Sequence, residues 1–110
     1  MTNLLTITQN HRELWIELCR NPRLARIMSR HLTLATQPVT LEEDIFVKLI
    51  ILHLNSFFYT MRGNSIIKLE GVRSDVGWFL SLPIPHDVWR RIRHLQNAEF
   101  VTFVESCQKE

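Results

Sequence analysis

Thr40-Leu41-Glu42-Glu43-Asp44-Ile45-Phe46-Val47-Lys48-Leu49-Ile50-Ile51-Leu52-His53-Leu54-Asn55-Ser56-Phe57-Phe58-Tyr59-Thr60-Met61-Arg62 is the stretch that decides the fold. It opens with a capping box: the Thr40 hydroxyl can accept from the Glu43 backbone N–H while the Glu43 carboxylate reaches back to the Thr40 N–H. Three acidic residues in the first turn then suit the positive end of the helix dipole. Beyond them the apolar residues nearly encircle the axis and leave a narrow polar stripe of Asp44, Lys48, Asn55 and Arg62. A helix apolar on most sides is expected to be surrounded by neighbours. The reading is therefore an all-α fold: a compact bundle of five to six helices around a central hydrophobic helix at about 40–62.

The flanking segments supply those neighbours. Leu4, Ile7, His11, Leu14 and Leu18 alternate three- and four-residue steps and predict an amphipathic helix over about 3–20. Asn10 with Glu13 offers a later start, which would leave 1–10 as an overhanging extension. Asn21-Pro22 caps and opens a second helix over about 22–32, with Leu24, Ile27, Met28 and His31 on one side and Arg23, Arg26 and Arg30 on the other. Thr33 to Val39 reads as a loop. Gly63-Asn64 supplies a stop for the central helix, and Leu69, Val72, Val76, Phe79 and Leu80 mark a helix over about 65–81 that Gly71 and Gly77 weaken. Pro83-Ile84-Pro85 ends it, Pro85 opens the next helix with Val88, Trp89, Ile92 and Leu95 inward, and Asn97 caps a last one through Phe100, Phe103, Val104 and Cys107. Strand alternation is missing, and Ser65 to Leu69 alone makes no sheet.

Composition bounds the class. The chain has 110 residues, 45% hydrophobic and 22% charged, which suits one ordinary globular domain spanning 1–110. A net charge of +2, from 13 basic and 11 acidic side chains, demands no anionic partner. Cys19 and Cys107 stand far apart in no CxxC spacing and read as free thiols of a reducing, cytoplasmic compartment. No secretion signal is visible. The most apolar run, Leu49 to Tyr59, is shorter than the ~20 residues of a membrane span, so no span is expected.

Chemistry-bearing motifs are sparse. The five histidines, His11, His31, His53, His86 and His94, form no HExxH and no pair three or four apart, so neither a metal nor a cofactor is implied. No nucleotide-binding glycine run or nucleophile elbow occurs, and an enzyme is not expected. His53 shares a face with Phe46, Ile50 and Phe57 and is a candidate polar core residue that needs a hydrogen-bond partner. Arg23, Arg26 and Arg30, with Arg90 and Arg91 beside Arg93, form a candidate partner surface for phosphate or acidic protein, although a solvated ion-paired face reads the same way. The aromatic residues sit mostly at core spacings and are also the material of a ligand cavity. Leu4, Ile7, His11, Leu14 and Leu18 occupy a and d positions of about two heptads, a candidate self-association seam for a homodimer through the first helix.

Trp15, the run Asn21-Pro22-Arg23-Leu24-Ala25-Arg26-Ile27, Phe57-Phe58-Tyr59, Asp75 with Phe79, Pro83-Ile84-Pro85 with Trp89, and Phe100-Val101 with Phe103-Val104 carry a resemblance. Over about residues 11–105 the chain resembles the soluble helical part of small, often membrane-tethered bacterial proteins of unknown function. The resemblance implies a helical, membrane-proximal cytoplasmic module and transfers no active site. The sequence thus points to a non-enzymatic interaction or regulatory domain, with a nucleic-acid binder and a small-ligand sensor as alternatives.

Overall fold

The computed structural model describes residues 4–62 and 69–108. The fold is all-α: α1 (Leu4–Arg20), a 3-10 helix (Pro22–Met28), α2 (Leu41–Met61), α3 (Leu69–Phe79), α4 (Pro83–Ile92), a 3-10 turn (Arg93–Leu95) and α5 (Ala98–Gln108). No strand occurs among the described residues. The Gly63-Asn64 stop and the first residues of the expected 65–81 helix lie outside them.

The capping box at Thr40 forms as its sequence dictates. The Glu43 N–H donates to Thr40 Oγ1 at 3.2 Å and the Thr40 N–H to Glu43 Oε1 at 2.9 Å. α2 then buries Phe46, Val47, Ile50, Ile51 and His53. α1 runs back along α2, so that His11 meets His53 and the chain beyond α1 returns Arg23 to Glu42. α1 starts well before Asn10, and Ile7 is only 1% exposed, so the first turns do not overhang.

Two elements differ from the sequence expectation. The segment after Asn21-Pro22 is a 3-10 helix ending at Met28, not an α-helix to 32. Asn21 caps it by accepting from the Arg23 N–H at 2.9 Å, and the Leu24 N–H donates three residues back to Asn21 O. At three residues per turn, side chains three apart eclipse. Leu24 and Ile27 therefore both enter the core while Arg23 and Arg26 line up outside it, and Arg30 falls beyond the helix. The second difference is α2. It is not enclosed on all sides: Leu41 (75% exposed), Ile45, Leu49 and Leu52 (60%) form an uncovered apolar stripe. α2 packs chiefly on α1, on the 3-10 helix and on α4, and α3 chiefly on α5, so no element among the described residues packs over that stripe.

The rest follows the apolar spacing except at Leu95, expected inward, which falls in the 3-10 turn after α4 and is 72% exposed. Pro83 rather than Pro85 takes the first position of α4, where a missing N–H costs nothing. Trp89 of α4 meets Phe100 of α5 edge-on, with ring centroids 5.7 Å apart. α5 seats Phe100, Phe103, Val104 and Cys107 in the core. Gly77 lets α3 approach α5 closely: a Cβ there would stand 2.4 Å from the Cys107 carbonyl oxygen.

Candidate functional site

Where α1, α2 and α3 meet, they leave a largely apolar cleft of about 640 Å³. Trp15, Phe57, Trp78 and Phe79 contribute its aromatic walls, and His11, His53 and Asp75 converge on it as polar groups. Its size falls in the range of small-molecule sites, and so does its make-up of apolar walls with few polar groups. Each helix supplies one titratable group, and α1 adds the Thr8 hydroxyl. His11 comes from the apolar side of α1, His53 from the core face of α2, and Asp75 from α3, one residue before the buried Val76.

The two imidazoles are partners. His11 Nδ1 lies 3.1 Å from His53 Nε2, with the rings tilted by 36° at a centroid separation of 5.2 Å. Trp15 stands edge-on to both His11 (5.8 Å) and Phe79 (6.1 Å), tying the pair into the aromatic wall. A hydrogen bond between two ring nitrogens needs one to donate and the other to accept, so it fits neutral imidazoles. Burial lowers the pKa of His11, an effect the facing Asp75 carboxylate partly opposes. Burial also lowers that of His53, and the neighbouring His11 adds to it. At neutral pH the pair is uncharged, which leaves Asp75 as the single formal charge among the described residues that line the cleft.

Sequence reasoning placed His53 in the core with a partner and His11 on the inner seam, but it did not bring them together. The usable signal was that both are polar interruptions of core-facing stripes, each roughly midway along one of two consecutive helices. Asp75 entered the sequence reading only within the resemblance. The α1 seam itself turns inward: Ile7 and Leu18 are buried, Leu14 packs half-buried against the core, and His11 lines the cleft. The side chain of Leu4 lies outside the described residues.

The arginines are engaged with carboxylates. Arg26 holds Glu43, which is 1% exposed, with two hydrogen bonds of 2.9 and 2.6 Å, and it also donates to the carbonyls of Gln37 and Pro38. It therefore fastens the loop after the 3-10 helix to the start of α2. Burial pushes the Glu43 pKa up, but Arg26 and Thr40 more than offset it and hold the carboxyl below its ordinary value. Arg23 pairs with Glu42 at 2.9 Å. Arg91 bridges Asp87 and Asp44 at 3.0 and 2.9 Å, and Arg90 pairs with Asp87. Arg93 pairs with Glu105. Arg30 is exposed and makes no ion pair among the described residues. The guanidiniums that the sequence offers to phosphate are thus largely neutralised in place.

Cys19 is exposed and Cys107 buried, and neither forms a disulfide. No group of three or more metal-ligating side chains occurs among the described residues. α2 as a whole has the length and apolar composition of a membrane span, which the shorter run Leu49 to Tyr59 lacks, and 33% of its most apolar window is buried within the fold. The chain matches no protein-family model, no curated protein and no solved structure.

Proposed function

We propose that this chain is a non-enzymatic regulatory domain of the bacterial cytoplasm that binds a small, mostly apolar molecule between α1, α2 and α3. The observation that carries the reading is the 640 Å³ cleft, in which a hydrogen-bonded histidine pair and one carboxylate face aromatic walls. Two cysteines that form no disulfide agree with a reducing compartment, and the bacterial, membrane-proximal setting rests on the resemblance described above. A neutral solvatochromic dye such as Nile red tests the binding. The expected result is saturable one-to-one binding that Val72→Trp, which fills the cleft, abolishes while circular dichroism keeps its helical signal. Dye binding that never saturates, or that Val72→Trp leaves intact, overturns the reading.

A second reading, protein docking, has its own observation. The exposed stripe Leu41, Ile45, Leu49 and Leu52 of α2 adjoins a shallow groove edged by Glu13, Glu17 and Glu42. Glu17 and Glu42 are answered by Arg20 and Arg23, so among the described residues the edge keeps Glu13 as its unpaired carboxylate, and an apolar floor with that charge suits a basic amphipathic helix. Fluorescence anisotropy with a Lys/Leu helical peptide and its Glu/Leu counterpart tests it. Binding of the basic peptide alone, lost in Leu49→Asp/Leu52→Asp, is expected; equal binding of both peptides refutes it. Nucleic-acid binding is the weaker reading, since the ion pairs leave little uncompensated positive charge.

A further inference from the structure

We propose that the ligand of the α1/α2/α3 cleft is an organic monocation: an ammonium group on an aromatic or alkyl body. The inference rests on the cleft being a small-molecule site and adds the ligand's charge.

Three observations converge on it. The first is Asp75. Glu17, Glu42, Glu43, Asp44, Asp87, Glu99 and Glu105 all stand in ion pairs, whereas Asp75 makes neither an ion pair nor a hydrogen bond among the described residues. Glu13 is likewise unpaired, but it lies on the outer groove. Asp75 instead lines the cleft, at its exposed edge, with an acceptor free for a ligand. The second is the absence of any lysine or arginine among the described lining residues, which offer an anion no cationic partner and meet it with a carboxylate. The third is the wall. Trp15, Phe57, Trp78 and Phe79 present aromatic rings, whose negative faces attract a desolvated cation and whose apolar area accepts its hydrocarbon body.

The histidine pair fits the same occupant. Two neutral imidazoles bonded to each other add no positive charge to repel an ammonium, and whichever ring donates, the pair keeps one outer ring nitrogen as an acceptor. A neutral ligand would fill the volume and leave Asp75 unanswered. The ammonium answers it at the cleft mouth while the body lies inward against Ile50, Leu54 and Val76.

Isothermal titration calorimetry at neutral pH with phenylbutylammonium, phenylbutanol and phenylbutyrate tests the proposal on the full chain. The ammonium is expected to bind at least about tenfold tighter than the alcohol, a difference of about 1.4 kcal/mol, and the carboxylate to bind weakest. Asp75→Asn, an exposed change that removes no existing pair, should bring the ammonium to the affinity of the alcohol, with circular dichroism confirming the fold. Equal or tighter binding of the alcohol, or an ammonium preference that survives Asp75→Asn, overturns the charge assignment and leaves the cleft reading standing. Heat from none of the three up to millimolar concentration overturns both.

Discussion

Replacing Gly77 by alanine should destabilise the protein even though alanine is the better helix former. Gly77 sits in α3, where exchanging glycine for alanine is worth about 1 kcal/mol in an unhindered helix. Here the new Cβ would stand 2.4 Å from Cys107 O and 3.1 Å from Cys107 C, both backbone atoms that no rotamer change can move. An ordinary carbon–oxygen contact is about 3.3 Å, so α5 must retreat by roughly 0.9 Å. That retreat pulls on the ties of Gln108 to Leu80 O and of Arg73 to Ser106 O, and loosens the buried Phe103, Val104 and Cys107. Overpacking of this kind costs about 1–3 kcal/mol, which leaves a net loss of up to about 2 kcal/mol after the helix gain. Urea unfolding followed by circular dichroism measures it. Gly71→Ala is the matched control, because a Cβ there meets nothing within 4 Å and should stabilise by roughly 0.5–1 kcal/mol. If both variants shift the midpoint upward, the close approach of α3 to α5 is refuted.

Glu43→Gln keeps the shape of the capping box but removes the charge that answers Arg26, and should cost roughly 1–3 kcal/mol by urea unfolding; an unchanged midpoint would mean the buried carboxylate holds nothing. The histidine pair sets a pH window. Both folded pKa values lie below the ordinary 6.5, so the unfolded chain takes up protons first, and this contribution is complete above about pH 6.5 and lost as pH falls below it. Unfolding midpoints measured between pH 7.5 and 5 should therefore fall, and His53→Phe should flatten that slope; a slope unaltered in the variant would rule out the pair as its source. Asp44 behaves alike at lower pH: burial raises its pKa but the hydrogen bonds from Lys48 and Arg91 hold it below the ordinary value, so its contribution is lost as pH falls through that depressed pKa. In the folded protein a thiol reagent should label Cys19 within minutes and Cys107 only on unfolding, and equal labelling rates would contradict the seat of α5 on α3.

Local grammar was legible wherever a short segment determines its own geometry. The Thr40 box, the Asn21-Pro22 start and the inward face of α5 could each be read from a few adjacent residues. What escaped is set by pairs distant in sequence or by choices that a spacing leaves degenerate. Leu24 and Ile27, three apart, satisfy an α-helix and a 3-10 helix alike, and only the i to i+3 hydrogen bonds distinguish them. Gly77 reads as a propensity defect until α5 is placed against it. His11 and His53 are 42 residues apart, and nothing in either helix alone announces the other.

The misreading of α2 shows how the site arises. A helix apolar on nearly every side needs neighbours on nearly every side, yet α1, the 3-10 helix and α4 cover only part of its circumference. Its apolar surface exceeds what the fold buries. On the side facing α3 the excess becomes a cleft with two imidazoles and a carboxylate; on the outer side it becomes the stripe from Leu41 to Leu52. The stripe leaves Ile45, Leu49 and Leu52 about half exposed, and such an apolar patch carries an aggregation hazard that polar residues would lower. The two features share one rigid helix. The cation site and the protein-docking surface proposed above would therefore both be built on α2.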